Sequence, residues 1–405
     1  MTADAEVIVV GGGCIGSAIA RELASDHDVM LLERDQLAAE ATSHSSGLVN
    51  PELVYPDLPK AGEYVYQYFE TLDGVGNFEY IDREMVCLAA PDRVEDGKRY
   101  VEEMADPSGY DVTWQSAAEL EERYPDLFNV DEDEGPIAGG MVLERTGWVE
   151  PYTFTTALAK DAEKRGATIR TGVEVTDILV EDGAVTGVET TDGVVRAPTV
   201  VTAAGWRTRQ LVSDYVQLPI QAKRYWSVNL TSQSGVETDI ADEYPIWYDE
   251  VSDSFWRPER NDDDEIHISG VEGIVEQEGS VKHSADEEVH RELAIRTPEL
   301  LDEFSDAAVA SDGCCPTGDA QTPDWLPIVD SPDEAPDGLV LATGFSGLGI
   351  TGTPVGVAAV RELVSGYGAP FPVSTFALDR FDDRSTDFES TQWELFDVSE
   401  LETTE

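Results

Sequence analysis

The stretch "VIVVGGGCIGSAIAREL", from Val7 to Leu23, decides the fold of this chain. Its four leading apolar residues predict a buried strand of a parallel sheet. A glycine-rich turn follows, and then residues with the apolar spacing of a helix. A second apolar run, "VMLLE", ends at Glu33, about 20 residues after the turn. This order predicts a βαβ unit and therefore an α/β fold with a Rossmann-like sheet.

The glycines of this turn have the spacing that dinucleotide cofactors require. Gly11 permits the tight turn, Gly13 lets the backbone approach a pyrophosphate, and Gly16 allows the helix to pack closely on the strand. The helix amide groups then hold the anion, and Glu33 can accept hydrogen bonds from a ribose hydroxyl. A glycine-rich turn in an ordinary α/β domain is the structural alternative. The strand, helix and acidic residue occurring together favour cofactor binding.

Acidic residues dominate the composition. The 405 residues include 83 Asp and Glu against 26 Lys and Arg, a net charge of -57 at pH 7. Molar salt shortens the Debye length to about 3 Å and screens the self-repulsion of such a chain. Because the acidic residues are spread along the sequence, we interpret the charge as adaptation to a salt-saturated cytoplasm. Recruitment of a basic partner is the alternative. Without a basic patch, nucleic acid and anionic membranes are poor partners.

The N-terminus and the cysteines favour a cytoplasmic protein. The start, "MTADAE", lacks the positive charge of a secretory signal. Four cysteines, at positions 14, 87, 314 and 315, make no disulfide framework, and the five histidines lack metal-ligand spacing. The stretch from Leu339 to Val360 is uncharged, but its glycines and Pro354 break it. We therefore expect it to surround a ligand as strand, loop and helix, with no membrane span.

Segments of α/β character alternate along the chain with segments whose strands are rich in aromatic residues. A second α/β block begins near Gly147, with short strands joined by the hairpin turns "EDGA" and "TDGV". Strands rich in aromatic residues, such as "RYWSVNL", predict a mainly antiparallel α+β domain for a substrate. We expect the two domains to be interleaved. The cofactor-binding domain is formed by residues 1–80, 147–215 and 313–381, and the substrate domain by residues 81–146 and 216–312. An acidic tail covers residues 382–405, in which Trp393, Leu395 and Phe396 can dock on the rest of the protein.

Ordered landmarks along nearly the whole chain resemble the FAD-dependent amino-acid oxidase superfamily, which includes D-amino-acid dehydrogenases, glycine oxidases and sarcosine oxidases. The βαβ unit is followed by "ATSHSSGLV", "GWVEP", "GVVRAPTVVTAAGW" and "TPDWLPIVD". The long run "LVLATGFSGLGITGTPVGVAAVRELVSG" and the ending "FALDRF" complete the set. The resemblance implies FAD as the cofactor.

The resemblance also assigns residues to the cofactor. The adenosine and pyrophosphate side matches Gly11, Gly13, Gly16, Glu33 and Arg34, with Cys14 and Ile15 at variable positions of the turn. Thr42, Ser43, Gly47 and Leu48 match the loop that wraps the flavin. Val175 matches the adenine region, and Ala204 and Gly205 the second cofactor turn. The loop at the isoalloxazine ring matches Gly344, Ser346, Gly347, Gly349, Ile350 and Thr351.

The implied reaction is hydride removal from the carbon beside an amine, in a small amino acid or N-methylated amine, with hydrolysis of the imine. The flavin supplies the chemistry, and no side-chain base is required if the amine binds unprotonated. Oxygen, a quinone or an electron-transfer protein accepts the electrons. Arginine usually clamps the substrate carboxylate in this family, which makes Arg257 and Arg224 candidates. Phe255, Tyr248 and His44 are further candidates for the substrate pocket.

The stretch "GCCPTGDAQTPDWLPIVD" departs from the family pattern. The arginine–proline pair that precedes "TPD" in glycine oxidases and D-amino-acid dehydrogenases is missing. In sarcosine oxidases a cysteine near Cys315 carries the flavin covalently, and a lysine usually stands where this chain has Thr351. The sequence thus matches neither subgroup. Two alternatives stay open: a 2-hydroxy-acid oxidase or dehydrogenase on the same fold, and a flavin-bearing subunit of an electron-transfer complex.

Overall fold

A computed structural model describes residues 3–108, 110–131, 135–235, 243–259, 265–275 and 280–389. The expected docking of Trp393, Leu395 and Phe396 lies outside these residues. The strands are β1 Val7–Val10, β2 Val29–Glu33, β3 Leu48–Val49, β4 Ile81–Asp82, β5 Met85–Ala89, β6 Val112–Ser116, β7 Gly139–Leu143, β8 Gly147–Trp148, β9 Thr168–Thr171, β10 Val175–Glu181, β11 Ala184–Thr190, β12 Gly193–Val195, β13 Thr199–Thr202, β14 Gln221–Thr231, β15 Ile246–Asp249, β16 Ser254–Pro258, β17 Glu265–Ile274, β18 Ala308–Cys314, β19 Asp319–Gln321, β20 Ile328–Asp330 and β21 Leu339–Thr343.

The α-helices are α1 Cys14–Leu23, α2 Pro51–Val54, α3 Pro59–Leu72, α4 Val94–Ser108, α5 Ala117–Arg123, α6 Pro151–Lys164, α7 Thr208–Leu211, α8 Glu287–Leu300 and α9 Gly349–Ser365. Short 3-10 helices cover Ala41–His44, Pro91–Arg93, Gly205–Arg207, Asp302–Phe304, Val373–Phe376 and Leu378–Arg380. Helix α1 packs between α6 and α9, which covers one face of the first sheet.

The first sheet has six strands in the order β20-β21-β13-β1-β2-β9, and only β20 runs antiparallel to its neighbour among them. The central strand β1 is buried on both faces, as its unbroken apolar sequence predicts. Its register with β2 pairs Val7 with Val29, and its register with β13 pairs Val7 with Thr199. The carboxyl ends of these parallel strands meet at one edge, where ligands bind in open α/β sheets.

A larger sheet supplies the opposite side of the molecule. Its order is β18-β14-β17-β16-β15-β5-β7-β6, with β19 also paired to β14, and its one parallel pair is β15 with β5 among the described strands. Trp247 and Trp256 stack at 5.6 Å between ring centroids and are fully buried, so these two aromatic residues belong to the core.

The strands refine the expected division of the chain. Strands β18 and β19 pair with β14 of the larger sheet, although residues from 313 onward were expected in the cofactor-binding domain. Antiparallel pairing with the long strand β14 keeps β18 and β19 in the larger sheet, so the chain returns to the first sheet only after Gln321. Two small three-stranded sheets complete the fold, β10-β11-β12 and β3-β8-β4. The first contains the two predicted hairpins.

The uncharged stretch from Leu339 to Val360 forms β21, a loop and most of α9. This is the predicted strand, loop and helix. In the part of the chain that the structure describes, we find no helix with both the length and the apolar character needed to cross a membrane.

The close contact between α1 and the turn before it gives a first prediction. An added Cβ at Gly16 would lie 2.0 Å from the carbonyl oxygen of Gly11. We expect Gly16→Ala to destabilise the protein by about 1 to 3 kcal/mol through overpacking and to weaken cofactor binding. Urea unfolding checks this, with Gly368→Ala as control, because a Cβ there meets no atom within 4 Å. Equal stability of the two variants would contradict the prediction.

Candidate functional site

A single cavity of about 920 Å³ lies between the edge of the first sheet and the face of the larger sheet. This is near the upper end of the roughly 300–1,000 Å³ that ligand sites occupy. Among the predicted cofactor residues, its lining includes Gly11, Gly13, Cys14, Ile15, Glu33, Arg34, Thr42, Leu48, Val175, Ala204, Gly205, Cys315, Gly344, Ser346, Gly347, Gly349, Ile350 and Thr351. Gly16, Ser43 and Gly47 lie outside the lining. The fold therefore brings most of the predicted set to one place.

The glycine turn and the start of α1 form one end of the cavity. Gly13 caps α1 with extended backbone and no side-chain cap. The Glu33 carboxylate accepts hydrogen bonds from the N–H groups of Gly12 and Asp35, both at 2.7 Å. These bonds fix the carboxylate at the end of β2, and each oxygen keeps a lone pair for a ribose hydroxyl. This end therefore fits the pyrophosphate and ribose of the expected cofactor.

Glu40 organises the basic residues beside this turn, and sequence reasoning missed it. It forms ion pairs with Arg34 and with Arg207, the latter at 3.3 Å. The Thr317 hydroxyl donates to the same carboxylate at 2.6 Å. Burial lowers the pKa of Arg207, and the Glu40 charge opposes that effect. Glu40 is thus shared by both arginines, and Arg34 also lies 3.4 Å from the carboxylate of Asp35.

The loop from Gly344 to Thr351 meets the larger sheet at the middle of the cavity. The Tyr225 ring packs against Gly347, where an added Cβ would lie 2.5 Å from Cζ of that ring. The Gly347 N–H donates to Asp319 at 2.9 Å, and burial raises the pKa of this carboxyl. The Thr351 hydroxyl donates to the carbonyl of Leu48 at 2.9 Å. These contacts fix the loop from both sides.

The two adjacent cysteines face different surroundings. Cys315 lines the cavity, whereas Cys314 is fully buried in the core of the larger sheet, with its thiol 3.2 Å from the Lys282 carbonyl. Both thiols are free. Burial raises the pKa of Cys315, and the nearby Asp319 raises it further, which disfavours the reactive thiolate. Covalent attachment of a flavin at Cys315 stays a prediction.

The arginines expected to clamp a substrate lie outside the cavity lining. Arg257 is 4% exposed and donates to the carbonyls of Ser46 at 2.8 Å and Pro258 at 3.0 Å. Arg224 donates to the carbonyls of Ser280 and Pro316 at 3.2 and 3.3 Å. Arg257 is also ion-paired to Glu259 at 3.3 Å, whereas both bonds of Arg224 come from one terminal nitrogen and its Nε is buried without a hydrogen-bond partner. The contacts of Arg257 support a structural role, and substrate binding by either arginine stays a prediction.

The other substrate candidates divide into two groups. Phe255 and His44 line the cavity, whereas Tyr248 is 2% exposed within the hydrophobic core and reaches only the lining residue Asp253, to which its hydroxyl donates at 2.7 Å. Burial and the neighbouring His283 lower the pKa of His44, and the Glu40 charge opposes that effect. Tyr225 and Trp226, which the sequence marked only as aromatic, also line the cavity.

Lys223 is a further charged lining residue that sequence reasoning missed, in addition to Glu40. It is 7% exposed, and its ammonium lies 4.9 Å from the ring centroid of Trp325, another lining residue. Burial lowers the pKa of Lys223, and the charge of Asp253 opposes that effect. The available signal was strand alternation, since residues 223 and 225 of one strand share a face.

Comparison with known proteins agrees with this geometry. The model of the family described as DAO, FAD dependent oxidoreductase, matches residues 6–362. The 4-methylaminobutanoate oxidase (formaldehyde-forming) of Paenarthrobacter nicotinovorans is 29% identical over 248 residues, which cover 60% of this chain and 29% of that protein. The mitochondrial dimethylglycine dehydrogenase of Rattus norvegicus is 28% identical over 273 residues, covering 64% and 30% respectively. This chain therefore spans less than a third of the length of these relatives.

Among solved structures, glycine oxidase from Geobacillus kaustophilus superposes with a TM-score of 0.79 at 22% identity. The superposition covers 94% of this chain and 100% of that one. It confirms the predicted fold class.

The contacts of Arg257 give a second prediction. Arg257→Met would leave the Ser46 carbonyl without its buried donor, at a cost of about 1 to 3 kcal/mol. We expect a lower melting temperature and weaker cofactor retention, measured by thermal unfolding and by dialysis. Arg99→Met is the control, because that side chain is 49% exposed. An unchanged melting temperature with weaker substrate binding would instead support the clamp.

Glu52 gives a third prediction, on pH. It is fully buried near the backbone N–H of Arg145, and burial raises its pKa to about 7. Because the folded-state pKa is raised, the protein loses stability as pH rises from about 4.5 through 7, by about 3 kcal/mol in total. Glu52→Gln removes this cost. At constant salt we expect Glu52→Gln to have a higher melting temperature than the parent at pH 8, and this difference should shrink towards pH 5. The control Glu95→Gln changes an exposed side chain and should show no such trend. A gain independent of pH would count against the raised pKa.

Proposed function

Because the chain belongs to the DAO family of FAD-dependent oxidoreductases, we propose that it oxidises a carbon–nitrogen bond of a small N-methylated amino acid. The observation that carries the proposal is the continuity of the cavity. It runs from the dinucleotide turn at Gly11 to the aromatic face of the larger sheet at Tyr225 and Phe255. The relatives named for 4-methylaminobutanoate and dimethylglycine support this substrate class.

The residues present fit FAD. The glycine turn and the start of α1 would hold the pyrophosphate, and Glu33 the ribose. Val175 would lie at the adenine, and the loop from Gly344 to Thr351 at the isoalloxazine ring. When bound, FAD supplies the hydride acceptor. The protein contributes binding, orientation and exclusion of water.

Aromatic side chains shape the substrate part of the cavity. Tyr225, Phe255 and Trp325 line it and offer ring faces against which N-methyl groups can pack. The substrate amine reacts in its unprotonated form, because only the neutral amine has the nitrogen lone pair that forms the carbon–nitrogen double bond as the hydride leaves. Loss of hydride from an N-methyl carbon leaves an iminium that water hydrolyses to formaldehyde and the demethylated amine. A dedicated side-chain base is therefore not needed.

The electron acceptor after the reaction is proposed to be oxygen, a quinone or an electron-transfer protein. Mixing the substrate-reduced protein with oxygen or with a soluble quinone, and following the return of flavin colour, compares the first two directly.

Anaerobic flavin reduction tests the proposed function. The holoprotein in high salt is mixed with sarcosine, dimethylglycine, 4-methylaminobutanoate, glycine and proline, and loss of the visible flavin absorption is recorded. We expect N-methylated amino acids to bleach the flavin with one formaldehyde released per flavin reduced. Bleaching by 2-hydroxyglutarate or glycerol 3-phosphate, with no response to any amine, would contradict the proposal and favour a hydroxy-acid enzyme.

A further inference from the structure

Asp319 brings a carboxyl group to the cavity at the place where the two sheets meet. It is the first residue of β19, and it lines the cavity. Within the described part of the chain, the donors to this carboxylate are two backbone N–H groups, of Ala320 at 2.7 Å and of Gly347 at 2.9 Å. Each carboxylate oxygen therefore receives one hydrogen bond and keeps a lone pair for a ligand.

Among the described residues, no lysine, arginine or histidine forms an ion pair with the Asp319 carboxylate. Lys223 stands opposite Asp319 where β14 pairs with β19, but its ammonium lies 4.9 Å from the ring centroid of Trp325 and is acted on by the charge of Asp253. Burial raises the pKa of the Asp319 carboxyl, as expected for an acidic group without a counter-ion. Acidic groups of this kind concentrate at functional sites.

The other titratable groups that face Asp319 are neutral near pH 7. Burial raises the pKa values of the Cys14 thiol on α1 and of the Cys315 thiol, and the charge of Asp319 raises both further. Burial and the same charge raise the pKa of the Tyr225 phenol on β14. None of these three groups can balance the carboxylate. A cationic ligand would supply the opposite charge.

Asp319 lies at the part of the cavity where the cofactor ring and the substrate are expected to meet. Its hydrogen bond from Gly347 joins it to the loop expected at the isoalloxazine ring. The Tyr225 ring packs against the same glycine and lines the cavity. The carboxylate thus lies beside both the ring loop and the aromatic face proposed for the substrate.

The substrate nitrogen has to lose a proton before the reaction, although hydride loss needs no base at the carbon. An alkylammonium group resembles that of lysine, with a pKa of about 10.4, so at pH 7 only about one molecule in a thousand is neutral. A carboxylate that binds the ammonium can accept one of its protons. In that step an N–H bond breaks and an O–H bond forms, and the electron pair of the N–H bond stays on nitrogen.

We propose that Asp319 binds the ammonium group of the substrate and accepts one of its protons, so that the amine is neutral when it meets the ring. The proposal rests on the proposed function and gives a catalytic role to a residue outside the candidates that the sequence supplied. The proton returns to solvent when the product leaves. Charge recognition at this end of the cavity is then directed at the nitrogen of the substrate.

Substitution and pH together test this role. Asp319→Asn keeps the size of the side chain but cannot accept the proton. The matched control is Asp330→Asn, because the Asp330 carboxylate also accepts from two backbone N–H groups, of Ser331 and Leu378, both at 2.8 Å, and lies outside the cavity lining. The second-order rate constant for anaerobic flavin reduction by sarcosine is measured from pH 6 to pH 10 at constant salt, together with the flavin content.

We expect the parent rate constant to stay nearly level between pH 7 and pH 9. Asp319→Asn should lower it about 100-fold at pH 7, and the difference should close towards pH 10, where the solution itself supplies neutral amine. Asp330→Asn should keep the parental profile. A loss by the same factor at every pH would assign Asp319 a structural role in the ring loop and overturn the proposal, as would parental rates in Asp319→Asn.

The parent protein alone provides a second measurement, which does not depend on the folding of the variant. A fall of about tenfold for each pH unit below 10 would mean that only neutral amine from solution reacts, and would reject the proposal. If no amine reduces the parent, the proposed function fails, and dimethylammonium chloride is titrated against the visible flavin spectrum at constant ionic strength. A perturbation that the parent shows and Asp319→Asn loses supports ammonium binding at Asp319. The same response in both proteins, or none in the parent, rejects it.

Discussion

The structure depends on the close approach of two backbones at the end of β1. The space between Gly16 of α1 and the carbonyl of Gly11 cannot hold a single Cβ, so only glycine lets the helix start directly over the strand. This contact sets the direction of α1 and leaves its first amide groups facing the edge where β1, β2, β13 and β21 end. Every element that lines the cavity from the first sheet is placed relative to that edge.

The cavity also requires the two sheets to be held together. Contacts between segments that are far apart in the sequence hold them. Arg257 of β16 donates to the carbonyl of Ser46, and Thr351 at the start of α9 donates to the carbonyl of Leu48. Tyr225 of β14 packs on Gly347. The loops at the cavity are therefore fixed by tertiary partners as well as by their own sequence. Because two of these contacts come from the larger sheet, its cavity-facing residues and the loops of the first sheet depend on each other.

The acidic character of the chain, with its net charge of -57, extends to the cavity. The lining has the carboxyl groups of Glu33, Glu40, Glu174, Asp253, Glu272 and Asp319 against the cations Arg34, Arg207 and Lys223. Five of these six carboxyl groups are bonded to Arg34, Arg207, Lys282, Tyr248 or backbone amides. Donors of the protein thus hold most of the acidic groups that face the cavity.

The sequence by itself determined the βαβ unit, the hairpins and the family, and it named most of the expected cofactor residues that the structure brings to one cavity. These features are local, because turns, strand runs and helix starts are set by residues close together in the chain. Only the tertiary structure decided which arginines donate to backbone carbonyls and which cysteine faces the cavity. It also decided that β18 and β19 join the larger sheet. It also placed Lys223 in the lining. Which face of a strand meets the cavity depends on pairing between residues far apart in sequence, and no local pattern specifies that pairing.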